Sequence, residues 1–279
     1  MATVLVTGHT GYLGSCLAAQ FAAGGWNVDV LPNRLENLTA QSIRADAVVH
    51  AAAALRHRHA DLMRVNAEGT ANLLAALTGD PFVVHISTRS VFRPQPDPTP
   101  LDETARPDPQ DAYGESKLAA EGVVSASGLR HVIIRSTGLS GVSPSGEGRG
   151  VLTRMAGYAL RAGRMCIHPT ASIDTLHVRD LARCIVRLCE SPPEDRLLHA
   201  AGPRVSLAQA AQAVCEAVRD VTGRECVIDE DDGPAPPGVL LDSRRIMQAG
   251  YLRHETSLDA TCREIATALI RHLQEPKPA

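Results

Sequence analysis

The sequence predicts an α/β fold built on a doubly wound parallel sheet, with a smaller C-terminal region, and three observations carry that prediction. Short apolar, β-branched runs alternate with stretches of helical periodicity over residues 1–140. A glycine-rich turn, Thr7-Gly8-His9-Thr10-Gly11-Tyr12-Leu13-Gly14, joins the first such run to the first helical stretch. Beyond residue 140 the alternation loosens, which sets residues 141–279 apart as a second region interleaved with the last elements of the first.

The elements follow in order. Residues 3–7 (TVLVT) form a strand that stops at Gly8, and residues 12–23 carry a helical pattern ended by Gly24-Gly25. Further strands are expected at 27–31, 47–50, 82–86 and 131–135, with helices near 61–77 and 112–126 between them. Residues 93–109 hold six of the 18 prolines and are expected to be an irregular loop leading into the helix at 112. The Gly/Ser/Pro segment GVSPSGEGRG is followed by a helix at 151–162, a strand–turn region at 165–176, and helices near 178–190, 206–222 and 257–274. The acidic, Pro-rich stretch 228–238 is expected to be a surface loop, and no internal repeat is visible.

Composition removes several function classes. At 44% hydrophobic and 21% charged residues, the chain can bury a sizeable core. The net charge is −3 with arginines scattered rather than striped, so no nucleic-acid footprint is read. No apolar run approaches about 18 residues, and the N-terminus enters a strand without a basic leader, so a soluble cytoplasmic protein outside the membrane is expected. The seven cysteines include no CxxC pair and read as reduced apolar fillers. His57 and His59 suggest a metal by composition alone and are read as loop or helix-start residues, so no metal ligand is assigned.

A glycine turn has chemical meaning at a strand–helix junction. Gly8, Gly11 and Gly14 allow positive φ and close approach of a pyrophosphate, while the helix N-terminus presents N–H groups and a favourable dipole. The reading is a Rossmann-like dinucleotide site over 1–140, with Gly8, Thr10, Gly11, Tyr12, Leu13, Gly14, Ala51 and Ala52 against the cofactor. An acid at the end of the second strand would select the ribose hydroxyl of NAD(H), and a base the phosphate of NADP(H). Asp29 sits between two valines at an expected solvent-facing position, whereas Asn33 and Arg34 follow the strand. NADP(H) is therefore favoured and NAD(H) left open.

Of the 28 Lys and Arg residues, 26 are Arg, and Lys117 is the single lysine in the body of the chain, the other being Lys277 in the tail. Tyr113 precedes Lys117 by four positions, one helical turn. A phenol ionises at about 10 and a neighbouring ammonium lowers that value, matching it to proton transfer. A compact ammonium can also reach a ribose hydroxyl, which a planar guanidinium fits poorly. An ordinary exposed lysine would give the same spacing, so a third element is needed. HISTRSVF supplies it, placing Ser87 and Thr88 at the C-terminal end of a parallel strand, where such sheets bind ligands.

Taken together, Thr7–Gly14, Ser87-Thr88 and Tyr113/Lys117 resemble the extended short-chain dehydrogenase/reductase family over essentially the whole chain. VNAEGTANLL, HISTRSVF, YGESKLAAE and DTLHVRDLA are similar to the nucleotide-sugar ketoreductases of the dTDP-dehydrorhamnose reductase and deoxysugar 4-ketoreductase type. The compressed linker before AVVH is similar too. The resemblance implies Thr88 as the hydroxyl on the substrate carbonyl, Tyr113 as the acid–base and Lys117 as its partner. It implies Asn66 as a support of the active-site helix, and a homodimer. With Arg89, Ser90, Thr137 and Arg149, these residues would bind a small-molecule carbonyl substrate on a sugar or sugar-like compound. Related dehydratases carry Asp-Glu after the Thr, where this chain has Arg89-Ser90, which argues against dehydration. Ile173 and Arg179 replace an Arg and an acid common in the group, which leaves a nucleotide-linked substrate open. Three readings remain: an NADPH-dependent ketoreductase, an epimerase that retains its cofactor, and a non-catalytic NADP-binding sensor or scaffold.

Overall fold

A computed structural model of the chain describes residues 1–31, 35, 38, 42–55 and 59–274. Strands β1 (Thr3–Thr7), β2 (Asn27–Val30), β3 (Ala47–His50), β4 (Phe82–Thr88), β5 (His131–Ser136) and, later in the chain, Leu197–Ala200 form one six-stranded sheet. Every pairing in it is parallel. Between these strands lie α1 (Tyr12–Ala23), a composite helix α2 and α3 (Ala112–Ala126). The composite helix is α-helical over His59–Leu62, π-helical over Met63–Glu68 and α-helical again over Gly69–Ala76. Then follow α4 (Gly150–Ala162), β6 (Arg164–Ile167), α5 (Val178–Glu190), β7 (Leu197–Ala200), α6 (Leu207–Thr222), β8 (Val227–Glu230), α7 (Arg244–Gln248) and α8 (Leu258–Gln274).

The sheet order is β7-β5-β4-β3-β1-β2, so the chain reverses direction between β1 and β3. Ligands of such sheets bind at that switch point, outside the C-terminal strand ends. The register lines those ends up: Thr7 lies beside His50, His50 beside His85, and Thr88 beside Ser136.

Each central strand is apolar on both faces, as a parallel sheet covered by helices requires. Val4 and Val6 of β1, with Val132 and Ile134 of β5, pack against α1 and α5. The alternate residues Leu5 and Ile133 pack on the other face with Leu73, Leu74 and Val124. Each fully buried side chain of this kind contributes about 1.5–3 kcal/mol. A separate cluster joins α4, α6 and α8 around Leu152, Val214 and Ile265. Residues after 141 thus contribute β7 to the main sheet, α5 and Ile246 of α7 to the core beneath it, and α4, α6 and α8 to a second core.

Three expectations need correction. β7 (Leu197–Ala200) is a sixth sheet strand that the alternation did not reveal. The Pro-rich 93–109 segment is not wholly irregular, because Pro100–Leu101 pairs in parallel with Leu240–Leu241 and Gln95 bridges Gly238. The 228–238 stretch is not a loop from its start, since Val227–Glu230 forms β8 against β6. Among the described residues, no helix is long and apolar enough to cross a membrane.

Candidate active site

The glycine turn is a bare-backbone cradle. Gly8 has φ +70°, and the Gly11 N–H donates to its carbonyl at 2.8 Å. A Cβ on Gly14 would stand 1.9 Å from that carbonyl oxygen, and one on Gly8 2.9 Å from Ala52. No side chain fits at either position, so the turn packs backbone to backbone against Ala52 and the start of α1, and Gly8, Gly11 and Gly14 line the cleft. That is the feature a diphosphate-containing cofactor requires, and the chain fits one.

Gly8, Gly11, Tyr12, Leu13, Gly14, Ala51, Thr88, Tyr113, Thr137 and Arg149 line one cleft of about 380 Å³. Ala53, Leu55, Ile86, Ser87, Ser136, Gly138, Leu139 and Gly150 complete its walls. The structure thus brings the glycine turn and the hydroxyls of Thr88 and Tyr113 to the same place. Of the remaining expected contacts, Thr10 is exposed and outside the lining. Ala52 lies behind the turn, its N–H donating to Thr7 Oγ1 at 3.2 Å. Asn33, Arg34 and His57 lie outside the described residues, while Asp29 is exposed on β2 as expected.

Thr88 ends β4, and Asp111 caps α3 by accepting from the Gly114 N–H at 2.6 Å. Tyr113 is partly buried, and burial pushes its phenol up to about 12; a hydrogen bond with Thr88 opposes the shift and Asp111 adds to it. The expected phenolate-favouring ammonium therefore does not set this phenol. Lys117, buried at 2% exposure, directs its Nζ to His85 Nε2 at 3.2 Å. Burial pulls its ammonium down to about 8, with Glu121 opposing. Tyr113 is held as a proton donor at neutral pH.

The floor of the cleft is a polar network. His50 places its two ring nitrogens 2.8 Å from Thr7 Oγ1 and Thr70 Oγ1. Asn66, in the π-helical turn, accepts from the Ala54 N–H at 2.7 Å and donates to Ser116 Oγ at 2.9 Å. Ser116 in turn donates to the Tyr113 carbonyl at 2.8 Å, so Asn66 braces the active-site helix. Such π-helical turns recur at functional sites. Deeper still, Glu121 accepts from Ser87 Oγ at 2.5 Å and pairs with Arg135 at 2.7 Å, both side chains buried.

Arg89 and Ser90 do not line the cleft. Arg89 Nη1 donates to Asp174 at 2.8 Å and to the Val239 carbonyl at 3.1 Å, tying the Thr88 turn to the C-terminal region. Thr137 donates to the same Asp174 carboxylate at 2.6 Å. Ser90 accepts from Thr88 Oγ1 at 3.3 Å. Arg149 stands with its guanidinium 5.9 Å from the Tyr12 ring centroid, near the glycine turn, and its Nε donates to Glu147 at 2.8 Å. The Tyr12 hydroxyl donates to the Gly141 carbonyl at 3.0 Å, so the 141–150 segment crosses the mouth of the glycine turn. Sequence reasoning missed His85, Gly114, Glu121, Arg135 and Asp174. A histidine inside an apolar strand and the 113/117/121 stripe on one helix face were the available signals.

Comparison with known proteins agrees with this geometry. Residues 4–198 match the model of the NAD dependent epimerase/dehydratase family. The chain is 29% identical over 264 residues to a dTDP-4-dehydrorhamnose reductase of Mycolicibacterium smegmatis, covering 88% of this chain and 80% of the relative. It is 30% identical over 289 residues to the dTDP-4-dehydrorhamnose reductase of Mycobacterium tuberculosis, covering 92% and 91%. Its fold is that of RMD from Pseudomonas aeruginosa, solved with NADPH (TM-score 0.78, 23% identity, 98% of each chain). It also matches WbmH from Bordetella bronchiseptica, solved with NAD+ (TM-score 0.79, 23% identity, 97% of this chain and 99% of that one). With the family model spanning the sheet, the glycine cradle and the Tyr113 helix, the chain is a member of the NAD dependent epimerase/dehydratase family.

Proposed function

We propose that the protein reduces a ketone on a sugar, nucleotide-linked in its natural form, with NADPH as reductant. The observation that carries this reading is the placement of Thr88 and Tyr113 in one cleft with the bare glycine cradle. A nicotinamide cofactor, when bound, supplies the hydride. This chain's residues do the rest: Gly8, Gly11 and Gly14 admit the diphosphate, Thr88 donates to the substrate carbonyl oxygen, and Tyr113 gives that oxygen its proton as the alkoxide forms. Lys117 holds the cofactor ribose. A phenol held near 12 is protonated at neutral pH and so poised to act as the acid in reduction.

The reductase reading over dehydration is supported by Arg89-Ser90, where acids would be needed, and by the names of the relatives at 29% and 30% identity. The preference for NADPH rests on Arg34 in the sequence. The test is NADPH oxidation, followed at 340 nm, with dTDP-linked 4-keto-6-deoxysugars and with free keto sugars. Stoichiometric NADPH loss with alcohol product is expected. Substrate conversion without net NADPH loss would instead make the protein an epimerase, and binding without turnover across the panel a sensor.

A further inference from the structure

The buried lysine has a partner that the proposed reaction does not by itself require. Lys117 Nζ lies 3.2 Å from His85 Nε2, and both side chains are removed from solvent. The carboxylate one turn further along α3, Glu121, gives its oxygens to Ser87 and Arg135 instead. The neighbouring His50 ring, 5.1 Å from that of His85, has both nitrogens taken by Thr7 and Thr70. His85 Nδ1 is buried with no partner.

From this geometry we infer that His85 is the positioning residue of Lys117, a neutral imidazole that accepts one ammonium N–H and leaves the other two for the cofactor ribose. The inference rests on the proposed role of Lys117 toward the cofactor ribose.

The chemistry favours imidazole over a carboxylate here. An ammonium is a donor only, so Nε2 must accept and the ring proton must sit on Nδ1, where it has no partner. A second proton on the ring is opposed by burial first, then by the charges of Lys117, His50 and His131. Glu121 acts on Lys117 from the same helix, and its charge is offset by Arg135. His85 therefore holds the ammonium in place without fixing its proton as a carboxylate would. A lysine so held keeps N–H groups for the ribose, and burial draws its ammonium down to about 8.

Two lysines in the chain make the test direct. With [ε-13C]lysine, NMR shows two resonances, and Lys277→Arg removes one and assigns the other to Lys117. In the full-length protein, Lys117 should titrate well below an ordinary lysine. His85→Gln, which keeps an acceptor, should leave that midpoint within about 0.5 pH unit, whereas His85→Leu should lower it by about one pH unit, tenfold in proton affinity. Equal midpoints in wild type and His85→Leu, or equal shifts in both variants, overturn the inference. Should His85→Leu fail to fold, 15N-histidine spectra of the wild type decide: below the Lys117 midpoint His85 must carry its proton on Nδ1, and an Nε2–H tautomer contradicts the assignment. A chain that never consumes NADPH leaves these titrations unchanged, so failure of the proposed function and failure of this inference are separable.

Discussion

Gly114 and Ser90 touch so closely that only a glycine fits: a Cβ at 114 would stand 2.2 Å from the Ser90 carbonyl oxygen. The contact seats the first turn of α3 on the turn that follows Thr88, and so fixes the distance between Tyr113 and Thr88. Gly114→Ala must push backbone apart, since the obstructing atom is not a flexible side chain. We expect a loss of about 1–3 kcal/mol in stability and a larger loss in turnover, because the phenol moves away from the carbonyl site. Urea denaturation and steady-state kinetics on one preparation check both; a stable variant with wild-type turnover contradicts the packing argument.

Glu121 and Arg135 form a buried pair at 2.7 Å, with Arg135 also 5.1 Å from the Phe92 ring centroid. Removing the carboxylate leaves a guanidinium uncompensated in the core, so Glu121→Gln should lower stability by about 3–5 kcal/mol. The pair also accepts from Ser87, next to Thr88, so the surviving folded protein should show altered kcat. Chemical denaturation monitored by circular dichroism measures the first effect.

Acid should destabilise the protein from the ordinary histidine range downward. Burial first, and Lys117 second, hold His50 down at about 3, and His85 is displaced in the same direction. Between that value and about 6.5 the unfolded chain binds more protons than the folded one, so stability is full above the window and falls as pH drops through it. The slope is about 1.4 kcal/mol per pH unit for each such imidazole. Urea midpoints should therefore fall between pH 7 and pH 5, by the equivalent of about 2 kcal/mol or more, and less steeply in His85→Gln. A flat profile would mean that these rings accept protons in the folded state.

Arg149 lies over Tyr12 at the mouth of the glycine turn, half-exposed and partnered by Glu147. From that position we expect Arg149 to serve the cofactor diphosphate rather than a substrate group beside Tyr113. Arg149→Ala should raise the Kd of NADPH about tenfold, the scale of one charge-assisted hydrogen bond, with little change in KM for the carbonyl. Fluorescence titration of NADPH gives the Kd; an unchanged value with a raised substrate KM would assign Arg149 to the substrate.

The parts of the molecule written in periodic pattern were legible before any coordinates. Val4, Leu5 and Val6 announce a strand buried on both faces, and Gly8, Gly11 and Gly14 announce the cradle, where the backbone excludes a side chain at Gly8 and Gly14. Tyr113 and Lys117 share a helix face by spacing alone. What stayed hidden depends on contacts distant in sequence or on short segments. Leu197–Ala200 has no alternation and pairs only because β5 offers an edge. The π-helical turn that aims Asn66 at Ser116 leaves no periodic trace. Arg89 followed Thr88 as if it faced the substrate, but Asp174, 85 residues on, draws it away. Lys117 was expected to set the Tyr113 phenol directly, and His85, invisible as a partner in one dimension, takes its Nζ instead.

The central claim is that Tyr113 delivers the proton in a reduction whose hydride comes from NADPH. Its most direct measurement is single-turnover transfer from [4-2H]NADPH to a dTDP-linked 4-keto-6-deoxysugar, in wild type and Tyr113→Phe, with the Kd of NADPH measured alongside. The account predicts deuterium at the carbinol carbon in the wild type, and a rate lower by about two to four orders of magnitude in the variant at nearly unchanged Kd. Deuterium transfer at the wild-type rate in Tyr113→Phe would contradict it.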